Sequence, residues 1–385
     1  MHEQMKVLFI IKMCSVHSFD PILHIFFFML SSPTSTVADN DSFYGWACPG
    51  KGQPLEWRQL PLKTFQDDDV EIKITHCGIC ATDLHVMNSD WGPTDYPCVL
   101  GHEIAGIVTK VGADISRLKV GDRVGIGAHC DSCHQCKECK NDQENLCRNG
   151  TTRTYTGHWS NGDKIYGGFG TKWRGKEHFV FKIPDNISNE LAASYFCGGI
   201  ATYAPLKKYG VTKGSRVGVI GLGGLGHFAV QWAKAMGAEV VVFSSSDKKR
   251  EDAKALGADD YIVSSATTAF QENNCTLSHI IMCTSFGIEF DWSPYLSLME
   301  PNGIFILTTA PGSFLEGIPA SIMLHRQITI VGAAVGSPKQ IRDMLTFASE
   351  KNVKPWIQKY PMEKIEDVIL NVKGGKARFR IVLEV

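Results

Sequence analysis

A chain of 385 residues, 44% hydrophobic and 21% charged, exceeds one ordinary core and points to two domains of a globular protein. A formal net charge of −1 provides no global field toward nucleic acid or an anionic lipid surface. Thirteen cysteines, several at Cys-x-x-Cys spacing in so long a chain, favour metal over a disulfide framework and suit a reducing, cytoplasmic compartment.

The first features in chain order are two apolar runs, "MKVLFII" and "ILHIFFFML", interrupted by Lys12, Asp20 and Pro21. Neither reaches the roughly 20 apolar residues of a membrane-spanning helix, so no membrane role is expected. "ILHIFFFML" before "SSPTSTVA" imitates a secretory leader with Ala38 at the cleavage position, but the stretch ahead of it is long and not clearly basic. No arginine precedes Arg58, which speaks against a mitochondrial leader. Residues 1–41 are therefore read as a poorly ordered extension.

From Ser42 the texture is that of a folded unit. "DVEIKITHCGIC", "EIAGIVTKVG" and "GDRVGIGAHC" alternate apolar and polar residues between Gly, Asp and Pro turns. They predict a strand-rich, barrel-like domain over residues 42–197. After residue 197 the pattern becomes strand, Gly turn, helix, strand, turn, helix, strand, with the continuous apolar runs "VGVI" and "EVVVF". Such runs belong to strands covered on both faces, and residues 198–331 are predicted to form a doubly wound α/β parallel sheet of the Rossmann type. The tail, residues 332–385, holds a helical stretch, "QIRDMLTFASEKNV", and a final strand, "KARFRIVLEV", which return to the first domain.

"VIGLGGLGHFAV" places Gly221, Gly223 and Gly226 in G-x-G-x-x-G spacing, with Gly224 and Leu225 completing the turn. It follows an apolar strand and opens a helix, the context a dinucleotide site requires. The glycines permit the tight turn, close approach of a pyrophosphate and close helix–strand packing, and the helix N-terminus offers free N–H groups. Where an NAD site carries an acidic residue after the next strand, this chain has Ser244, Ser245 and Ser246, then Lys248, Lys249 and Arg250. Hydroxyls and cations suit a 2′-phosphate, so NADP(H) is the expected cofactor. Asp247 is the one dissenting charge and reads as a helix cap.

Two sets of metal ligands are expected. Cys133-x2-Cys136-x2-Cys139-x7-Cys147 supplies four thiolates and closes a tetrahedral zinc, a structural staple with no open position. Spacing alone leaves Cys130 and His134 as competing ligands. The same stretch sets Lys137 and Lys140 against Glu138, Asp142 and Glu144, a poor phosphate binder, so nucleic acid is not an expected partner. The second set is dispersed. Cys80, His102 and Cys197 would leave a fourth zinc position open, as catalysis needs. "GHEIAG" is not H-E-x-x-H, which excludes a zincin-type protease. The remaining cysteines, Cys14, Cys48, Cys77, Cys98, Cys130, Cys275 and Cys283, read as small buried hydrophobes.

Together "GICATDLH", "YPCVLGHEIAGIVTKVG", the four-cysteine lobe, "FCGGIATYAPL", "GLGGLGH", "SSSDKKRED" and "ARFRIVLEV" resemble a zinc-dependent medium-chain alcohol dehydrogenase of the cinnamyl alcohol dehydrogenase group, over residues 42–385. The resemblance implies a GroES-like catalytic domain beside the Rossmann domain, two zinc ions per chain and a homodimer. It assigns the catalytic ligands to Cys80 rather than Cys77, with His102 and Cys197, and sets Glu103 beside them as a ligand when substrate is absent. It gives the lobe to Cys133, Cys136, Cys139 and Cys147, leaving Cys130 out. Asp83 becomes the carboxylate that orients the zinc-bound imidazole, Thr202 a neighbour of the nicotinamide, and the serines with Lys249 the NADP-selecting group.

The implied reaction is reversible hydride transfer between NADPH and an aldehyde or primary alcohol, with a proton relay from Thr82 through a cofactor ribose hydroxyl to His85. Trp91 is expected to face the substrate, favouring aromatic or medium aliphatic aldehydes. Thr152 stands where plant lignin enzymes often carry tryptophan, which points to a broad-specificity aldehyde reductase. An NAD-linked alcohol or polyol dehydrogenase of the same fold is the alternative, and a catalytically silent NADP-binding zinc protein a more distant one.

Overall fold

The computed structural model describes residues 41–265, 267–285, 290–309 and 315–385. The extension expected over residues 1–41 lies outside these, except for Asp41.

Two sheets organise the described chain. One is six-stranded and wholly parallel, in the order Asp260–Val263, Glu239–Ser244, Arg216–Ile220, Leu277–Met282, Met299–Leu307, Thr329–Gly332. In chain order this is 3-2-1-4-5-6, the dinucleotide-binding arrangement, whose crevice opens where the order reverses, beyond the carboxyl ends of strands 1 and 4. The run "VVVF" is buried throughout, Val240 to Phe243 at 0% exposure, because helices cover both faces.

The other sheet runs Phe181–Lys182, Arg123–Ile126, Glu103–Val111, Asp69–Ile79, Arg380–Glu384, Ile357–Pro361, with Lys172–Lys176 also pairing with Asp69–Ile79. Its two central strands are antiparallel, and Glu103 lies opposite Gly78. The last strand, Arg380–Glu384, pairs antiparallel with Asp69–Ile79, Ile381 against Ile79 and Glu384 against His76. A third, three-stranded sheet places Ser42–Cys48 between Glu56–Pro61 and Cys98–Val99.

The two sheets meet through helices. The chain leaves the sheet of Asp69–Ile79 through Asn189–Ser194, a single π turn at Tyr195–Gly199, and the helix Ile200–Lys208. The nucleotide helix Gly226–Ala235 packs on this connection. Phe228 and Trp232, four residues apart, stack at 5.8 Å, and the Trp232 indole donates to the Gly199 carbonyl at 3.1 Å. Helix Pro338–Lys351 begins at Ser337, whose hydroxyl accepts from the Gln340 amide while the Gln340 side chain accepts from the Ser337 amide, a complete capping box. Its buried face, Ile341, Met344, Leu345 and Ala348, joins the same core as Trp232. No described helix is long and apolar enough to cross a membrane.

Among the cysteines read as buried, Cys48, Cys77, Cys98, Cys130 and Cys283 are buried. Cys275 is exposed, in a turn with φ 57°. Cys14 lies outside the described residues.

Candidate functional site

Strand Asp69–Ile79 runs straight into Cys80, the N-cap of the short helix Ala81–Met87. The first turn of that helix carries Asp83, and this one buried carboxylate ties three segments together. Its Oδ2 accepts from the Cys80 amide at 2.9 Å. Its Oδ1 accepts from the Gly101 amide at 3.0 Å and from His102 Nδ1 at 2.9 Å. With Nδ1 donating to Asp83, His102 presents Nε2 to Cys197, whose Sγ lies 3.3 Å away. Cys197 comes from the π turn at Tyr195–Gly199, where the extra residue turns a side chain that a regular helix would aim elsewhere. The Sγ atoms of Cys197 and Cys80 are 3.9 Å apart.

Glu103 follows His102 and is wholly buried. Its Oε1 accepts from the Arg380 guanidinium, while Oε2 has no partner. Gly78, opposite in the sheet, makes room for it: a Cβ there would fall 2.0 Å from Oε2. Burial raises the Glu103 carboxyl to about 7, with Arg380 pulling the other way. At Cys80 the contact with Cys197 holds the thiol well below its ordinary range, assisted by His102 and opposed by burial. Burial acts to lower His102, but Asp83 and Cys197 outweigh it and leave the imidazole raised.

The ligand atoms of Cys80, His102, Glu103 and Cys197 lie within 4.8 Å of one another, as do those of Cys133, Cys136, Cys139 and Cys147. Within the second group the sulfurs of Cys136 and Cys139 are 3.5 Å apart, and those of Cys133–Cys139 and Cys136–Cys147 are 3.9 Å apart. Ligands about 2.3 Å from a tetrahedral zinc stand about 3.8 Å from each other, so both donor sets fit that ion. The orphan Oε2 of Glu103 suits the fourth place in the first set. Cys130 stays apart, its Sγ directed to the Thr152 carbonyl at 3.7 Å. His134 is turned away with φ 55° and bonded to Asp131 at 2.8 Å.

The glycine turn leaves strand Arg216–Ile220 at Gly221, whose φ of +88° needs a residue without Cβ. A Cβ on Gly226 would lie 1.9 Å from the Gly221 carbonyl oxygen, whereas one on Gly223 would meet nothing within 4 Å. The turn therefore leaves an open cradle above Gly223 at the mouth of helix Gly226–Ala235, where a pyrophosphate fits. Ser244 ends its strand, Ser245 is exposed and Ser246 half-buried. Lys249 Nζ donates to the Leu222 carbonyl at 2.7 Å, which draws the serine–lysine run against the glycine turn. Ser246, not Asp247, takes the cap position of the turn Asp247–Lys249, and Asp247 accepts from Arg250 Nε at 2.7 Å. Its charge is thus engaged by a neighbour.

The other expected residues are more scattered. Thr82 Oγ1 lies 3.6 Å from Cys80 Sγ. His85 is bonded through Nδ1 to Asp90 at 2.9 Å and stacks on Trp91 with centroids 4.6 Å apart, so Trp91, 56% exposed, shares a face with His85. Thr202 is buried, and its hydroxyl is turned back on the Gly198 and Gly199 carbonyls, 3.1 Å from each.

Three residues near these groups escaped the sequence analysis. Arg380 is buried beside Glu103, with Nη1 3.2 Å from where a Gly224 Cβ would be and Nε unpartnered. The only hint was a cation at the head of an apolar strand, "RIVLE". His227 is fully buried, bonded to the Gly224 carbonyl at 3.0 Å; burial, then Arg380, lower it to about 3. Tyr155, also buried, packs its ring 4.9 Å from that of His102, and no sequence signal marked it.

Two family models match the chain, "Alcohol dehydrogenase GroES-like domain" over residues 66–185 and "Zinc-binding dehydrogenase" over residues 224–350. An 8-hydroxygeraniol dehydrogenase of Catharanthus roseus is 37% identical over 344 residues, 89% of this chain and 94% of that protein. Among solved structures, a cinnamyl alcohol dehydrogenase of Sorghum bicolor superposes with a TM-score of 0.84 at 35% identity, covering 89% of this chain and 97% of that one. The structure of CAD from Helicobacter pylori complexed with NADP(H) gives 0.80 at 32% identity, covering 89% and 98%.

Proposed function

The chain belongs to the zinc-dependent medium-chain alcohol dehydrogenase family, and from that premise we propose that it is an NADPH-dependent reductase of aldehydes, acting reversibly on the corresponding primary alcohols. The observation that carries the reading is the meeting of Cys80, His102 and Cys197 in one group with Asp83 behind the imidazole. A similar protein has been solved with NADP(H), and the serine–lysine run beside the glycine turn supports the same cofactor here. In this division residues 42–197 and 332–385 form the catalytic part and residues 198–331 the nucleotide part.

Zinc held by Cys80, His102 and Cys197 would supply Lewis acidity toward a carbonyl oxygen, and NADPH a hydride. The chain does the rest. Asp83 fixes the His102 tautomer so that Nε2 carries its lone pair inward. Glu103, paired with Arg380, would offer its unpartnered Oε2 as a further ligand when substrate is absent. Thr82 keeps a hydroxyl proton beside Cys80, and His85, facing solvent on Asp90, exchanges protons with water. The exposed Trp91 ring beside His85 offers an apolar face to aromatic or medium aliphatic substrates. Cys133, Cys136, Cys139 and Cys147 would hold a second, closed zinc as a staple. The reading extends to a cytoplasmic homodimer.

The test is initial rates of cofactor oxidation across a panel of aromatic and aliphatic aldehydes, with NADPH and NADH compared and zinc measured on the same sample. The expected result is turnover of several cinnamyl-type and medium-chain aldehydes, preference for NADPH, and two zinc ions per chain. A strong NADH preference would overturn the cofactor assignment. An active Cys80→Ser variant would overturn the catalytic centre.

A further inference from the structure

Two buried cysteines outside both metal groups stand against each other. Strand Ser42–Cys48 pairs with Cys98–Val99, and the register sets Cys48 directly opposite Cys98. Directly opposed residues of an antiparallel pair have Cα atoms about 4.5–5.5 Å apart, with side chains on the same face. That spacing falls inside the roughly 4.4–6.8 Å that a disulfide spans. Cys48 is 0% and Cys98 1% exposed, and the two thiols interact with one another. We propose that Cys48 and Cys98 are a redox modification site, closing to a reversible cross-strand disulfide under hydroperoxide.

The two thiols are unequal. The contact with Cys98 lowers Cys48 to about 7 against the opposing effect of burial, assisted by the Gly50 backbone and the Lys373 charge. The same contact, then burial, raises Cys98. Cys48, the lowered thiol at the end of its strand, is the sulfur placed to meet peroxide first, and Cys98 is the resolving thiol. Cys48 also ends its strand, ahead of the exposed residues Lys51 and Gly52, and only the pairs Ala47–Val99 and Cys48–Cys98 hold that edge. Fraying of so short a ladder admits a molecule as small as hydrogen peroxide.

The Cys48 thiolate attacks one peroxide oxygen, the O–O bond breaks, and Cys48 becomes a sulfenic acid as hydroxide leaves. Cys98 sulfur then attacks Cys48 sulfur, the S–O bond breaks, and the departing hydroxide takes up the Cys98 proton as water. The first hydroxide recovers the proton lost from Cys48. In sum two thiols and one peroxide give one disulfide and two waters.

The position gives the link a structural consequence. Cys98 opens the run that reaches His102 four residues later. That run is bonded on its other side by Gly167 N to Val99 O at 2.7 Å, Phe169 N to Leu100 O at 2.9 Å and Gly168 N to Gly101 O at 2.7 Å. A bond at Cys48–Cys98 would clamp it on both sides.

The experiment treats the full-length, zinc-loaded protein with hydrogen peroxide near equimolar ratio and maps its peptides without reduction. The expected result is a linked pair of peptides containing Cys48 and Cys98, released by dithiothreitol. Zinc content should be unchanged and Tm raised by at least about 3 °C. In Cys98→Ser, whose hydroxyl keeps the contact that lowers Cys48 but cannot form a disulfide, a sulfenic acid should persist at Cys48 and be trapped by dimedone. In Cys48→Ala, Cys98 should stay unmodified. The wild-type map stands by itself should either variant fail to fold. Both cysteines remaining free while zinc-ligating thiols oxidise, or either one linked elsewhere, would overturn the proposal.

Discussion

Asp83 shows how much of a centre can rest on one side chain. It accepts from Cys80 N, Gly101 N and His102 Nδ1, and an asparagine in its place would turn an NH2 toward at least one of those donors. Asp83→Asn is expected to weaken zinc binding and lower kcat/KM by about 10–100-fold, read by chelator competition and steady-state rates. The role was legible only through the family resemblance of "GICATDLH"; its three contacts were not, since two reach across nearly twenty residues of chain to Gly101 and His102. His227 makes a second prediction at this scale. Its folded-state value of about 3 lies below the ordinary histidine value of about 6.5. Below pH 6.5 the unfolded chain takes up a proton that the folded one refuses, so stability falls as pH drops through that window. The slope approaches about 1.4 kcal/mol per pH unit. His227→Asn should show a shallower acid limb than wild type between pH 4.5 and 6.5 in urea unfolding, zinc release being common to both proteins.

At the scale of elements, apolar alternation announced Asp69–Ile79, Glu103–Val111 and Arg123–Ile126, continuous apolar runs announced Arg216–Ile220 and Glu239–Ser244, and the glycine spacing announced the turn between Arg216–Ile220 and Gly226–Ala235; the short strands Lys172–Lys176, Phe181–Lys182 and Ile357–Pro361 carried no such signal. The π turn at Tyr195–Gly199 was invisible, because what secures it is tertiary, including the Trp232 indole on Gly199. The glycines of the turn separate folding from binding. Gly226→Ala places a methyl 1.9 Å from the Gly221 oxygen and should cost about 1–3 kcal/mol of stability, as overpacking does. Gly223→Ala points its methyl into open space, so the Tm without cofactor should match wild type. The Kd for NADPH should rise about tenfold, the equivalent of one lost charge-assisted hydrogen bond. Calorimetry and fluorescence titration on the two variants check the contrast. The four-cysteine lobe yields a similar pair of outcomes. Cys133→Ser should lower zinc from two ions per chain toward one, while Cys130→Ser, whose thiol faces Thr152, should leave it at two.

Across the whole molecule, the first-domain sheet takes its last strand from the far end of the chain, and that strand delivers Arg380 to Glu103 and to the edge of the glycine turn. Nothing local in "KARFRIVLEV" distinguishes this arginine from its neighbour Arg378, which pairs with Asp252 at the surface; only the folded topology does. The guanidinium touches the proposed zinc centre on one side and the proposed phosphate cradle on the other, so its loss should register in both. Arg380→Ala leaves Glu103 buried without a countercharge, and Glu103→Gln leaves the arginine in the same position. Each single change is expected to cost about 3–5 kcal/mol. The double variant should cost clearly less than their sum, because one partner no longer strands the other. Urea unfolding of the four proteins measures that coupling, and additive costs would mean that the pair does not act as a unit. Affinity for NADPH distinguishes the two ends of the same side chain. It should fall in Arg380→Ala and in the double variant, and stay near wild type in Glu103→Gln, where the guanidinium still reaches the turn at Gly224.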